Sequence, residues 1–302
     1  MPTARRGALP AAFFHKTKGE DAMKLVTYLR DGKEYVGLLE GGAVRPLPCP
    51  DLNTLIESGD LADIAARAGA ETPLEAVTLL APIPRPRQDV ICLGMNYKAH
   101  LEEAAGYDAE AFAKEKPAAV YFSKRVTEAV PPEGLIQSHP GLVERLDYEA
   151  ELAVILGRTA RNVRAAEAGE YIFGYTIVND VSARDVQTGH KQWYFGKSLD
   201  GFTPMGPCIV TAEEISFPPA LDISARVNGE VRQEANTAWL INSIGEVLEE
   251  LTAGMTLLAG TVIATGTPAG VGMGFDPPKF LKSGDVVECE IEGIGVLRNT
   301  VE

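Results

Sequence analysis

The rhythm of apolar residues beyond position 88 limits the fold more than any other feature of this chain. Short runs of strand length recur at 89–94, 118–122, 148–156, 172–179, 208–211, 221–227, 261–265 and 286–291, whereas helical spacing appears only at 97–114, 165–170 and 241–251. A doubly wound parallel sheet needs a helix in nearly every crossover, because parallel neighbours cannot be joined by a tight turn. Here strands outnumber helices and do not alternate with them, which argues against that arrangement. The expected fold class is α+β and β-rich.

The segment before position 88 reads differently. Residues 23–44 alternate apolar and polar around the turn Asp31-Gly32, a hairpin signal, and 52–68 has helical spacing, so 23–82 is expected to form a small α+β domain. In Ala81-Pro82-Ile83-Pro84-Arg85-Pro86-Arg87 each proline removes a donor and restricts its neighbour, so no helix or central strand can run through it. The domain boundary is placed there, with 83–302 as the second domain. Residues 1–22 carry Arg5, Arg6, Lys16 and Lys18, but their apolar run at 8–14 is short and broken by Pro10, which suits a flexible extension better than a leader.

Charge and cysteine content narrow the function classes. Across 302 residues the formal net charge is -14, so nucleic acid and anionic membranes meet a repelling surface, and a small anionic substrate needs a local cation. No stretch approaches the roughly 18 to 20 apolar residues of a membrane-spanning helix. Cys49, Cys92, Cys208 and Cys289 are far apart and form no CxxC pair, which indicates neither a disulfide framework nor a zinc knuckle. A reducing cytoplasm is the expected setting.

The chemistry concentrates in Leu146-Asp147-Tyr148-Glu149-Ala150-Glu151-Leu152, read as a strand with Asp147, Glu149 and Glu151 on one face. Side chains two apart on a strand stand roughly 6 to 7 Å from one another, so three like charges are unfavourable unless water screens them or a cation lies between them. A solvated edge strand and a hard-cation site both satisfy this pattern. Asp180 ends the apolar run at 172–179, where it can complete a set of three carboxylates or cap a turn or helix.

Five motifs occur in an order that resembles the fumarylacetoacetate hydrolase family, also called the acylpyruvate hydrolase superfamily, over 87–301. They are Gly94-Met95-Asn96-Tyr97 followed by His100, Asp147-Tyr148-Glu149-Ala150-Glu151-Leu152, Asn179-Asp180-Val181-Ser182-Ala183-Arg184-Asp185-Val186-Gln187, Gly196-Lys197-Ser198-Leu199-Asp200-Gly201-Phe202, and Thr265-Gly266-Thr267-Pro268-Ala269-Gly270-Val271-Gly272. The resemblance implies a mixed-sheet β-roll, a homodimer, and Mg2+ or Mn2+ held by Glu149, Glu151 and Asp180. Asp147 opens the motif without being a ligand in the smaller members, and no residue here matches the further aspartate ligand of the larger ones. The resemblance also assigns stabilisation of developing negative charge to Arg184, Gln187 and Lys197, and substrate contact to Gly266 and Thr267. Read without it, Arg184 and Gln187 suit the surface of a short helix, and 265–272 suits a tight turn between strands.

His100 and Glu103 stand three apart on one helix face, where the carboxylate can hold the imidazole in one tautomer. A helix-surface histidine is the competing reading. In the family this pair activates water. The expected reaction is hydrolysis of the carbon-carbon bond of a small acylpyruvate, a 2,4-dioxo acid whose 2-oxo end chelates the metal and leaves as an enolate. The same site can instead decarboxylate an oxaloacetate-type acid or act as an enol-keto isomerase, and resemblance in fold does not choose among these. A noncatalytic scaffold is disfavoured because every motif residue the chemistry needs is present. A nucleotide-binding loop is disfavoured because no Gly-Lys-Ser/Thr follows the glycines. A lid is expected at 107–116. Trp193, Trp239 and 241–251 suit a subunit interface or the core equally.

Overall fold

Alternation along the strands decides how the layers stack. In the strand Ala150–Leu156, Ala150, Leu152, Val154 and Leu156 join one apolar cluster, while Ala153 and Ile155 join another on the opposite face. Both faces are therefore covered, which explains why the run is apolar throughout instead of alternating with polar residues. The computed structural model describes residues 22–105 and 118–302. Apart from Ala22, the expected extension and the whole of the expected lid lie outside these residues.

The strand Ala150–Leu156 sits inside a mixed sheet of eleven strands. From one edge the order is Thr72–Pro73, Ala43–Pro46, Lys33–Glu40, Lys24–Arg30, Met205–Thr211, Ile172–Asn179, Ala150–Leu156, Val262–Ala264, Val90–Gly94 and Val120–Lys124, with Thr78–Leu79 also paired to Lys24–Arg30. Within it Val262–Ala264 and Val90–Gly94 run parallel, and the other paired neighbours run antiparallel. A second sheet, ordered Glu230–Asn236, Asp222–Val227, Val286–Ile291, Gly295–Val301 and Leu135–Ile136, packs across one face. Ile223, Ala225, Val287 and Cys289 from this sheet meet Leu152, Val154 and Tyr175 of the first in one core. The result is the β-rich α+β roll expected from the sequence.

The proline segment divides the chain but not the sheet. Leu25 pairs with Ile209 across it, and Leu25, Leu52, Leu55 and Ile56 share a core with Ala153, Ile155, Val178 and Ile209. The N-terminal strands thus extend the main sheet and, with their helices, cover its second face.

Three helical expectations shift. The helix expected at 52–68 is two short ones, Leu52–Ser58 and Leu61–Ala66, because Gly59 takes a left-handed conformation (φ 70°) and its N–H closes on the Ile56 carbonyl. The helix expected at 241–251 spans Ile244–Gly254. Ser243 and Glu246 form a reciprocal capping box that starts it three residues later. Its buried face, Ile244, Val247, Leu248 and Leu251, belongs to the core, whereas Trp239 is 64% exposed. Of the helix expected at 97–114, Lys98–Ala105 is helical, and 106–114 lie outside the described residues.

Candidate active site

Strand register builds the acidic centre. Ala150 pairs with Asn179 and Glu151 with Val178, which sets Glu149 opposite Asp180, and the Asp180 N–H donates to the Glu149 carbonyl at 2.8 Å. The Asn179 side chain holds the other side of the junction by accepting from the Glu149 N–H at 3.0 Å. Oxygens of Glu149, Glu151 and Asp180 consequently come within 4.8 Å of one another, all buried.

The expected row of three acids on one strand is corrected at Asp147. The extended chain is interrupted after Asp147, which belongs to a two-residue strand paired with Ser182–Ala183. Asp147 Oδ1 accepts from the Tyr148 and Gly272 N–H groups at 2.9 and 2.6 Å, and Oδ2 from Arg184 Nε and the Met273 N–H at 2.9 and 3.0 Å. With both oxygens saturated, Asp147 clamps the 271–274 turn and takes no part in the acidic cluster. A Cβ at Gly272 would lie 2.6 Å from Asp147 Oδ1, so this clamp requires glycine.

Buried cations surround the cluster. Lys197 Nζ donates to Glu149 Oε2 and Asp180 Oδ2, each at 2.8 Å, and Lys124 Nζ donates to Asp180 Oδ1 at 2.5 Å and to the Val181 carbonyl at 3.0 Å. Arg184 reaches Glu149 Oε1 at 2.7 Å and donates to Gln187 Oε1 at 3.1 Å. Arg184 and Gln187 are therefore buried members of the site and not residues of a helix surface. Burial alone would raise the Glu149 carboxyl, but Lys197, Arg184 and His100 overcome it and hold that group at about 2. Burial would likewise lower Lys197, and Asp180 with Glu149 reverse this and keep it charged.

Glu151 stands apart. Its Oε2 accepts the Gly266 N–H at 2.8 Å, while Oε1 is buried with no hydrogen-bond partner among the described residues. Burial, then the charges of Asp180 and Glu149, push its carboxyl well above the usual range. An unmet carboxylate oxygen facing two further carboxylates is what a hard divalent ion satisfies, and a donor set made only of oxygens suits Mg2+ or Mn2+. The three acids named from the sequence thus fit such an ion.

The turn after Val262–Ala264 completes the cluster. Gly266 has φ 97°, and a Cβ on it would lie 2.7 Å from the Asn96 Cβ. Gly266, which the resemblance assigns to substrate contact, directs its N–H to Glu151. Thr267 lines the cavity, and its hydroxyl donates to the Ala150 carbonyl at 2.9 Å while accepting from Gln233 Nε2 at 2.7 Å. Asn96 ties the Gly94-Met95-Asn96-Tyr97 motif to this turn by donating to the Thr265 carbonyl at 2.9 Å.

His100 Nδ1 meets Glu103 Oε2 at 2.9 Å, and the Glu103 carboxylate also accepts the Gly270 N–H at 3.1 Å. Both side chains line a cavity of about 230 Å³ that Glu149, Arg184, Gln187 and Lys197 also reach. Sequence reasoning missed Lys124 and Gln233. Lys124 ends a strand and reads as a surface residue, and only its approach to Asp180, 56 positions later, reveals its place. Gln233 joins the second sheet to the site by accepting from the Ala150 N–H at 3.0 Å and donating to Thr267 and Pro268.

A mixed β-roll with a buried tricarboxylate centre beside a His-Glu pair defines a class of protein whose site can hold a divalent metal ion. Residues 89–302 match the model for the fumarylacetoacetate (FAA) hydrolase C-terminal domain. Oxaloacetate tautomerase YisK of Bacillus subtilis (strain 168) is 46% identical over 228 residues, 76% of this chain and 74% of that one. The mitochondrial oxaloacetate tautomerase FAHD2A of Bos taurus is 38% identical over 272 residues, 88% and 84% of the two chains. Among solved structures, a fumarylacetoacetate hydrolase from Exiguobacterium antarcticum superposes with a TM-score of 0.84 at 40% identity over 93% of this chain and 99% of the other. A 2-hydroxyhepta-2,4-diene-1,7-dioate isomerase from Mycobacterium marinum gives 0.74 at 35% identity over 93% and 98%. The chain belongs to the fumarylacetoacetate hydrolase family.

Proposed function

We propose that this protein is a divalent-metal-dependent tautomerase that interconverts the enol and keto forms of a small 2-oxo dicarboxylic acid of the oxaloacetate type. The observation that carries this reading is the His100-Glu103 pair, set at 2.9 Å in the wall of the same cavity that Glu149 and Lys197 line. The names of the relatives at 46% and 38% identity support it over the hydrolysis expected from the sequence.

Tautomerisation moves one proton to or from carbon and one from or to oxygen, and it breaks no carbon-carbon bond. With Nδ1 engaged by Glu103, Nε2 is the ring nitrogen available to exchange a proton with the substrate carbon. The Glu103 carboxylate stabilises the imidazolium while it holds that proton, and the Gly270 N–H keeps the carboxylate in place. Lys197, kept charged by Asp180 and Glu149, faces negative charge developing on the substrate oxygen. An ion held by Glu149, Glu151 and Asp180 would supply Lewis acidity at this end of the cavity. Arg184 adds positive charge for a carboxylate of the substrate.

The test follows the ultraviolet absorbance of freshly dissolved enol-oxaloacetate with the Mn2+-loaded protein, alongside pyruvate release from oxaloacetate and from acetylpyruvate. Enol decay should accelerate well beyond the protein-free rate with no matching pyruvate, and His100→Asn should lose on the order of 10² to 10³ in rate. Stoichiometric pyruvate from acetylpyruvate without faster enol decay would restore the hydrolase reading.

A further inference from the structure

The aromatic segment His190-Lys191-Gln192-Trp193-Tyr194-Phe195 has no task in the chemistry above. Tyr194 and Phe195 are exposed, but Trp193 is half-buried and lines the cavity shared by His100 and Lys197. Two contacts fix its ring. The indole meets Phe122 edge-on, with centroids 5.3 Å apart and planes at 69°. Its outer edge lies over Gly94, where a Cβ would come within 2.5 Å of Trp193 Cζ3 and 3.0 Å of Cη2, so only glycine lets the ring lie this close.

Phe122 connects this wall to the acidic centre. The Lys197 ammonium sits 5.0 Å from the Phe122 ring centroid and holds Glu149 and Asp180 at 2.8 Å. The contacts run in series from carboxylates to Lys197, to Phe122, to Trp193. An acid anchored at the carboxylate end therefore presents its substituent to the indole. The cavity, about 230 Å³, is also smaller than the roughly 300 to 1,000 Å³ usual for drug-sized ligands.

We propose that Trp193 is the specificity-determining wall of this site and restricts the substituent of the bound 2-oxo acid to a short chain. The proposal rests on the reading that Arg184, Lys197 and an ion held by the carboxylate cluster anchor such an acid. A ring held between Phe122 and Gly94 cannot yield without losing both contacts, so a bulky substituent meets a fixed surface. Replacing the indole by a methyl group opens the cavity toward solvent at that end, while the groups that hold the acid stay untouched.

The test uses the Mn2+-loaded protein and calorimetric titration with oxalate, which occupies the anchoring end alone, and with benzoylpyruvate, which adds an aryl group. Wild type should bind benzoylpyruvate more weakly than oxalate. Trp193→Ala should tighten benzoylpyruvate about tenfold or more and change oxalate by no more than about twofold, with Trp193→Phe between the two. Equal affinity of wild type for both ligands, no gain in Trp193→Ala, or parallel weakening of both ligands would each overturn the proposal. Enol-oxaloacetate turnover by wild type judges the tautomerase reading separately: a selective gain in benzoylpyruvate binding supports the wall even where that turnover is absent.

Discussion

Replacing Glu151 by glutamine should make the metal-free protein more stable and the metal-supplemented protein unresponsive. In the metal-free fold, burial and the charges of Asp180 and Glu149 push the Glu151 carboxyl far above its ordinary value of 4.5. Such a group binds its proton in the folded state and releases it on unfolding, so stability falls as pH rises above the unfolded value. That loss is present at pH 7, above the ordinary carboxyl value. Glutamine carries no such cost and can still accept the Gly266 N–H. Glu151→Gln in EDTA should therefore melt above wild type at pH 7, and the difference should shrink as the pH is lowered toward 4.5. Mn2+ at one hundred times its dissociation constant should in turn stabilise wild type by about 2.7 kcal/mol, or about 5 °C, and leave Glu151→Gln nearly unmoved. Differential scanning calorimetry at pH 7, with EDTA and with Mn2+, measures both effects. A variant that melts below wild type in EDTA, or that gains as much from Mn2+, would show that Glu151 is not the unmet ligand.

Asp147→Asn should lower stability by about 3 kcal/mol, or about 6 °C in melting temperature, because it weakens the buried Arg184 pair and the clamp on Gly272 and Met273. Wild-type stability in that variant would refute the clamp. In Gly274→Ala the new Cβ falls on the Glu103 carboxylate, so turnover should drop on the order of 10²-fold while oxalate binding to the Mn2+-loaded protein persists. Unchanged turnover would detach Glu103 from proton transfer. Burial and Asp51 push the Cys49 thiol up to about 11, so its alkylation by iodoacetamide should keep rising roughly tenfold per pH unit from 8 to 10. A plateau near pH 9, as for a free thiol, would contradict this.

The acidic centre was only partly legible in the residues themselves. Glu149 and Glu151 share strand parity and Asp180 closes an apolar run, a pattern that suits a solvated edge and a turn as well as a cluster, and it was the order of the family motifs that joined the three. Asp147 has the same parity yet does not join them, because its strand pairs with Ser182–Ala183 and the chain is interrupted between the two strands. No local signal records that interruption. Lys124 was illegible for a related reason: its burial is a property of Asp180 and of the sheet around it, which its own neighbours do not encode. The later start of the Ile244–Gly254 helix was readable in Ser243 and Glu246, whose side chains satisfy the free N–H groups at that end. Trp193 suited core and interface equally from the sequence. Its place on the cavity wall follows from Gly94, a glycine on a distant strand.

The pairing of Ala150 with Asn179 ties formation of the three-carboxylate cluster to correct assembly of the roll. A slip of one residue along that ladder would rotate Glu151 to the face now filled by Leu152 and bury its carboxylate among apolar side chains. An ion-binding fault and a packing fault are then the same event. A misassembled chain is destabilised by a carboxylate stranded in its core, so the folded population keeps the three-carboxylate cluster intact, with no separate check on the site.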